Sequence, residues 1–255
     1  MKAMVFAAGL GTRLRPLTDD RPKALVTLGD RTLLEIVLAR LRAAGVHEVI
    51  VNAHHFADQI AAALAAHGNF GMRIEISREE TLLDTGGGLK QAAWFFLESG
   101  ADEPFLVHNV DVLSTIDLAR MMAFHRQRDA LATLAVQQRQ TARPLLFDTQ
   151  DRLVRRGETR VASAQRMERM PTLEPLAFAG IHVLSPRLFA KLREEGAFSI
   201  VDAYLRLAAE GERILGFRAE GASWRDLGRP ESLRAAEADL AAGRISLSGA
   251  EPASY

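Results

Sequence analysis

The amino-acid sequence predicts an α/β fold in which a mostly parallel sheet carries helices on both faces. Strand and helix patterns alternate through the first half of the chain, and a glycine-rich loop follows the first strand. Hydrophobic and charged residues make up 48% and 25% of the 255 residues, as in an ordinary globular protein with a substantial core. Regular alternation produces βαβ units, whose right-handed crossovers cover both faces of the sheet.

The elements are predicted from hydrophobic periodicity and from capping residues. Apolar runs predict strands at 2–7, 48–53, 73–77, 104–109, 131–137, 177–183 and 214–219. Helical spacing predicts helices at 33–44, 57–67, 88–97, 118–128, 201–209 and 230–240, and one that begins at Ser185-Pro186. Thr32 and Glu35 fit a capping box at the start of the first helix. Residues 145–154 predict a hairpin, and residues 158–175, which have no period, are expected to form a mobile flap.

Composition and charge exclude several classes of function. The 32 basic and 32 acidic residues cancel, whereas a nucleic-acid-binding protein usually carries a basic excess. The chain has no cysteine, so disulfides, thiolate catalysis and cysteine zinc sites are excluded. No signal peptide and no membrane-spanning apolar run is recognisable. We therefore expect a cytoplasmic protein with no nucleic acid, membrane or obligate protein partner.

The segment GLGTRLRPLTDDRPK, from Gly9 to Lys23, follows the first predicted strand. Glycines allow backbone N–H groups to approach phosphates, and Arg13, Arg15 and Lys23 add positive charge, so the loop suits a polyanionic ligand. It has neither the Gly-Lys-Ser/Thr of a P-loop nor the third glycine of the dinucleotide fingerprint. The residues alone leave open a strand-to-helix turn with solvated arginines.

This segment resembles the signature loop of the sugar-1-phosphate nucleotidyltransferases, G-x-G-T-R-L-x-P-L-T followed by P-K, and the resemblance covers nearly the whole chain. It implies a Rossmann-like nucleotidyltransferase core of the GT-A type in a single domain, residues 1–243. The nucleotide-binding half is expected at about 1–112 and the sugar-binding half at about 113–243, with a disordered tail at 244–255.

The resemblance also implies roles for residues of the loop. The nucleotide-binding residues would be Ala8, Gly9, Leu10, Gly11 and Thr12. Two residues would be catalytic: Arg13 contacts the phosphates that leave as pyrophosphate, and Lys23 neutralises charge at the reacting phosphates.

Two further segments carry candidate metal ligands. In the family, the aspartates that match Asp111 of HNVD and Asp226 of WRDLGRP bind Mg²⁺, although Val110 and Arg229 replace the commoner glycine and threonine. Mg²⁺ prefers oxygen ligands and usually takes one or two carboxylates beside phosphate oxygens. Taken alone, each aspartate could equally cap an ordinary turn.

Other residues are candidates for contact with the base and the sugar. The string DTGGG resembles the E-T-G-G-G of N-acetylmuramate-1-phosphate uridylyltransferases, so Gly86 and Gly87 are expected to present a bare surface to the nucleobase ahead of a helix. A flexible turn is the alternative. Asp84, Asn109 and Gly180 are expected to bind the sugar substrate, the glycine by close approach within a strand.

One family feature is absent from the chain. Many relatives hold the sugar phosphate with a lysine in an E-K-P segment, but this sequence has no lysine between Lys90 and Lys191. Arg143 is the predicted replacement, with Arg156 behind it, because arginine can bind phosphate in bidentate geometry. The alternative is that Arg143 lies at the edge of a strand and is solvated, without contact to the substrate.

The implied reaction is Mg²⁺-dependent transfer of a nucleotidyl group from a nucleoside triphosphate to a sugar 1-phosphate, with release of pyrophosphate. UTP and N-acetylmuramate 1-phosphate are the preferred pair, in cell-wall sugar recycling. Mannose-1-phosphate guanylyl transfer, glucose-1-phosphate thymidylyl transfer and a non-catalytic nucleotide-sugar sensor are the alternatives. The histidines, among them His54, His55 and His108, lack a metal-binding spacing and are expected at the surface or in loops.

Overall fold

The computed structural model describes residues 1–98, 100, 102–157 and 173–247. The strands are β1 (Lys2–Phe6), β2 (Thr27–Leu28), β3 (Arg31–Thr32), β4 (Glu48–Ala53), β5 (Arg73–Arg78), β6 (Phe105–Asn109), β7 (Val112–Ser114), β8 (Ala132–Gln137), β9 (Leu145–Phe147), β10 (Leu153–Arg156), β11 (Glu174–Leu184), β12 (Ile214–Arg218) and β13 (Trp224–Asp226). The α-helices are α1 (Leu33–Ala43), α2 (Ala57–Ala66), α3 (Asp84–Gln91), α4 (Ala93–Leu97), α5 (Leu118–Gln127), α6 (Ile200–Ala209) and α7 (Pro230–Ala241). Short 3-10 helices lie at Thr12–Leu14, Lys23–Leu25, Gly68–Gly71 and Pro186–Lys191.

The main sheet confirms the predicted α/β fold. Strands β6, β1, β4 and β5 are neighbours in that order and are parallel, as the strand–helix alternation of the first half predicts. Strand β11 lies antiparallel to β6 and also pairs with β8 and β9. The predicted hairpin is present as β9 and β10. The antiparallel direction of β11 was not predicted, because an apolar run does not reveal the direction of its strand.

Two apolar cores cover the two faces of this sheet. Ala3 and Val5 of β1 belong to one core and Met4 and Phe6 to the other, because successive side chains of a strand point to opposite faces. Helices α1, α2, α5 and α7 pack into the first core, and α3, α4 and α6 into the second. The capping box of α1 is present. No helix within the described residues is long and apolar enough to cross a membrane.

Two predicted helices differ from those observed. The helix expected at 88–97 begins instead at Asp84 and is interrupted at Ala92, so Gly86 and Gly87 lie inside α3 and not in a loop before it. The segment after Ser185 is a 3-10 helix, which Ser185 does not cap, because its hydroxyl donates to the Ala130 carbonyl oxygen. The flap predicted at 158–175 is wrong for Glu174 and Pro175, which belong to strand β11 and pair with β9, and its residues 158–172 lie outside the described residues. Of the tail predicted at 244–255, residues 248–255 also lie outside them.

The expectation that histidines lie at the surface is wrong for three of them. His108 of β6, His125 of α5 and His182 of β11 are buried. The imidazole of His125 bonds to the hydroxyls of Thr133 and Ser185 at 2.9 and 3.1 Å, so burial leaves it hydrogen-bonded. Burial lowers the pKa of His108 and His125 to about 4 and that of His182 to about 3, and these side chains are therefore neutral at pH 7.

These histidines make stability depend on pH. Between about pH 6.5 and 4 the unfolded chain binds protons that the folded chain does not, so the unfolding free energy is expected to fall as the pH drops through this window. Each histidine contributes a slope of up to about 1.4 kcal/mol per pH unit. Urea unfolding at pH 7, 6 and 5 measures the slope, and His125→Gln should reduce it by one histidine's share. An unchanged slope in that variant would contradict the assignment.

Candidate active site

The predicted phosphate loop and the first candidate metal ligand lie at one edge of the sheet. Strands β1 and β6 are parallel neighbours with Phe6 opposite Asn109, so the glycine loop and Asp111 leave the sheet side by side. Ligands of open α/β sheets bind at this carboxyl edge of the strands. Asn52, at the end of β4, accepts a hydrogen bond from the Ala7 N–H at 2.8 Å and thereby fixes the start of the loop.

Local hydrogen bonds set the shape of the loop. Gly11 has φ +65°, a left-handed conformation that favours glycine. Its carbonyl oxygen accepts from the Thr18 hydroxyl at 2.9 Å and from the Leu14 N–H at 2.8 Å. The resulting 3-10 turn buries Leu14 and leaves Arg13 exposed. Among the other predicted nucleotide-binding residues, Ala8 is buried, Gly11 is half-buried, and Gly9, Leu10 and Thr12 are exposed.

A short antiparallel ribbon brings the two candidate metal ligands together. Strand β13 pairs with β7, with Asp226 opposite Val112, and the Leu227 N–H donates to the Asp111 carbonyl oxygen at 2.8 Å. A Cβ at Gly228 would lie 2.8 Å from Asp226 Oδ1 and 2.9 Å from Asp111 Oδ2. Two aspartates distant in sequence therefore present carboxylate oxygens to one small space.

The two predicted catalytic cations lie in the same place. Lys23 Nζ donates to Asp111 Oδ2 at 2.8 Å, and both side chains are largely buried, at 15% and 11% exposure. The Arg13 Nη2 atom would be 2.9 Å from the same hypothetical Cβ of Gly228. The structure thus brings all four predicted residues together, with two carboxylates facing two cations.

The donor atoms fit Mg²⁺. Asp111 and Asp226 offer carboxylate oxygens, the ligand type that this ion prefers. Within the described part of the chain no group of three or more histidine or acidic side chains could hold a metal by itself. A site with two carboxylates suits an ion whose remaining ligands are phosphate oxygens and water.

A cavity of about 390 Å³ is lined in part by Asn109, the last residue of β6. It brings together three of the residues predicted to bind the sugar substrate, Asp84, Asn109 and Arg143, and also Arg156. Its other lining residues are Thr85, Thr141, Leu145, Phe178, His182, Ser199, Ile200, Val201 and Asp202. Asn109, which lines the cavity, is two positions before Asp111 in the sequence.

Gly180 lies where strand β11 is irregular. Its φ is +74°, and a Cβ there would be 2.8 Å from the Asn109 amide nitrogen. A side chain at position 180 would therefore collide with the side chain of Asn109, which explains the glycine there. The pairing of β11 with β8 shifts between Phe178 and His182, which bends the strand at the edge of the cavity.

Arg139 is a cation of the site that the sequence did not indicate. Its guanidinium lies 3.6 Å from the centre of the Trp224 ring and donates to the Phe178 carbonyl oxygen at 2.7 Å. Burial lowers the pKa of Arg139, and the nearby Asp226 carboxylate opposes this effect. Trp224 Nε1 donates to the Ala179 carbonyl oxygen at 2.8 Å, so this pair connects β11 to the ribbon of β7 and β13. A single arginine after a strand carries no motif that could have identified it.

The glycines of DTGGG do not form the bare surface that was predicted. A Cβ at Gly86 would lie 2.2 Å from the Phe198 ring, and one at Gly87 would lie 2.3 Å from the Gly196 carbonyl oxygen. A Cβ at Gly88 would meet Glu79 and Asn52 at 2.5 and 2.7 Å. The absent side chains allow α3 to pack against the segment before α6 and against the strand ends.

Comparison with known proteins identifies relatives of the whole chain. A family model described as nucleotidyl transferase matches residues 2–243. The chain is 39% identical over 249 residues to an N-acetylmuramate alpha-1-phosphate uridylyltransferase of Caulobacter vibrioides, which covers 94% of this chain and 96% of the relative. It is 32% identical to a mannose-1-phosphate guanylyltransferase of Mycobacterium tuberculosis, over 94% of this chain and 65% of the relative. A structure of UDP-glucose pyrophosphorylase with UDP-glucose superposes with a TM-score of 0.76 at 18% identity, over 95% of this chain and 99% of the other.

Proposed function

The chain belongs to the nucleotidyl transferase family, and from this premise we propose that it joins a nucleoside triphosphate to a sugar 1-phosphate and releases pyrophosphate. The observation that supports the reaction most strongly is the convergence of Arg13, Lys23, Asp111 and Asp226 around Gly228. The presence of all four of these residues argues against a non-catalytic sensor. The nucleotide half is proposed at about 1–112 and the sugar half at about 113–243.

The mechanism rests on positioning and charge. An oxygen of the sugar phosphate attacks the α-phosphorus in line with the departing pyrophosphate, and no strong general base is needed because the phosphate is already ionised at pH 7. The exposed guanidinium of Arg13 binds the departing phosphates, and Lys23, held by Asp111, faces the reacting ones. Asp111 and Asp226 would hold Mg²⁺, which offsets the negative charge of the phosphates.

The proposed substrates are UTP and N-acetylmuramate 1-phosphate. Support comes from the relative of Caulobacter vibrioides, to which the chain is similar along nearly its whole length, and from the DTGGG segment. The reaction would return a cell-wall sugar to its nucleotide-linked form in the cytoplasm. Ala8 to Thr12 are proposed to bind the triphosphate, and Asp84, Asn109, Arg143 and Gly180 the sugar side.

Pyrophosphate release over a matrix of nucleoside triphosphates and sugar 1-phosphates tests both parts. UTP with N-acetylmuramate 1-phosphate is expected to give the highest kcat/KM. A higher value for GTP with mannose 1-phosphate, or for dTTP with glucose 1-phosphate, would contradict the substrates and leave the reaction class intact. No release with any pair would contradict the reaction itself.

A further inference from the structure

The candidate metal ligand Asp226 belongs to a ribbon that lies outside the main sheet. Strand β13 pairs with β7 in a two-stranded sheet of their own. Such a ribbon is marginally stable by itself, so contacts with neighbouring elements have to fix its position. Trp224 and Asp226 are two residues apart on β13 and therefore lie on the same face, about 7 Å from each other along the strand. A group that holds Trp224 in place consequently also limits the movement of Asp226.

Arg139 reaches this face of the ribbon from the main sheet. Its backbone N–H donates to the carbonyl oxygen of Gln137, the last residue of β8, at 3.1 Å. Its guanidinium lies over the Trp224 ring, 3.6 Å from the ring centre, and donates to the Phe178 carbonyl oxygen of β11 at 2.7 Å. The Trp224 ring donates to the next carbonyl oxygen of β11, that of Ala179. The Arg139–Trp224 pair thus fixes β13 against two strands of the main sheet.

The burial of Arg139 is unfavourable in a way that packing alone does not require. Its Nε–H group is buried and has no hydrogen-bond partner among the described residues. Such a donor destabilises a fold, whereas an apolar side chain of similar size could fill the same space without this cost. Burial lowers the pKa of Arg139, and the negative charge of Asp226 counteracts this shift, so the two groups interact. A cation at this position therefore indicates a role connected with Asp226.

We infer that Arg139 is a positioning residue, which acts through Trp224 to hold the Asp226 carboxylate where it can bind a metal ion together with Asp111. This inference rests on the proposed function, because it concerns the metal ion that the reaction would use. Position and charge have opposite effects here. A positive charge near the site would by itself weaken the binding of a cation, so an arginine that acted through its charge alone would oppose the metal. The effect of removing the guanidinium therefore separates the two.

Mn²⁺ binding by the protein without substrates measures this positioning independently of turnover. Mn²⁺ is a suitable probe because it prefers the same oxygen ligands as Mg²⁺, and the paramagnetic resonance signal of the free ion gives the dissociation constant. Arg139→Met removes the guanidinium but keeps a long side chain, and we expect it to weaken Mn²⁺ binding at least about threefold. Arg139→Lys keeps a cation near the Trp224 ring and should weaken binding less.

A double-mutant cycle shows whether the effect of Arg139 passes through Asp226. Asp226→Asn by itself is expected to weaken Mn²⁺ binding, and adding Arg139→Met should cause no further loss. Arg128→Met is the matched control. Arg128 also lies over an aromatic ring, that of Phe124, and donates to a carbonyl oxygen, that of Gln150, but these partners belong to α5 and to the turn between β9 and β10. Its replacement should leave Mn²⁺ binding unchanged.

Two results would overturn the inference. The first is equal or tighter Mn²⁺ binding in Arg139→Met, and the second is the same loss from Arg139→Met in the wild-type and Asp226→Asn proteins. The thermal midpoint shows whether Arg139→Met stays folded, and Arg139→Lys takes its place in the cycle if it does not. Failure of the proposed function is a separate result, because the wild-type protein would then release no pyrophosphate from any pair in the substrate matrix, whatever its affinity for Mn²⁺.

Discussion

Asp111→Asn and Asp226→Asn are each expected to reduce turnover at least about a hundredfold while the protein stays folded. Each amide has the shape of the carboxylate but lacks its negative charge, which attracts the metal ion, and in the wild-type protein both carboxylates face Gly228. Both side chains lie at the sheet edge and not in either apolar core. Pyrophosphate release as a function of Mg²⁺ concentration measures the loss of turnover, and the thermal midpoint of unfolding shows whether each variant stays folded.

Asp58→Asn provides the matched control for these variants. Asp58 is an exposed aspartate of α2 whose only described partner is Arg78, and its replacement should leave turnover unchanged. A variant of Asp111 or Asp226 that keeps more than about a tenth of wild-type activity at saturating Mg²⁺ would remove that residue from the metal site. A tenfold loss corresponds to only about 1.4 kcal/mol of barrier, too little for a lost ligand.

The sequence predicted the parts of the site that carry local signals. The glycine loop follows an apolar strand, and Asp111 ends another, so the rule for parallel sheets was enough to predict that they share an edge. The ribbon of β7 and β13 escaped prediction because strands of three residues are too short to show a period of two. The approach of Asp226 to Asp111 consequently followed from the family resemblance and not from any pattern in the chain.

The role of the glycines of α3 could not be predicted from the sequence, because it depends on residues that are distant along the chain. Three adjacent glycines are compatible with a bare ligand surface, a flexible turn or close packing, and only their neighbours decide among these. Here the neighbours are Phe198 and Gly196, which belong to a segment distant in sequence. Arg139 was missed for a similar reason, since its importance comes from contacts with Trp224 and with the strand at Phe178.

Gly228→Ala is expected to abolish activity without unfolding the protein. Its added methyl would lie within 2.9 Å of Asp226 Oδ1, Asp111 Oδ2 and Arg13 Nη2. All three atoms end flexible side chains, so the fold can accommodate the methyl when these side chains swing away. Their displacement would separate the groups that the reaction needs, and a loss in kcat of at least about a hundredfold is expected, because small misplacements of reacting groups are costly.

Gly87→Ala is the matched comparison, because the two glycines differ in what surrounds them. A methyl at Gly87 would meet the Gly196 carbonyl oxygen at 2.3 Å, and a backbone atom cannot move aside without disturbing the contact between α3 and the segment before α6. We therefore expect Gly87→Ala to lower the thermal midpoint and Gly228→Ala to leave it nearly unchanged. Wild-type turnover in Gly228→Ala would show that catalysis does not require this arrangement of Asp111, Asp226 and Arg13. A fall in its midpoint as large as that of Gly87→Ala would instead attribute the lost activity to unfolding.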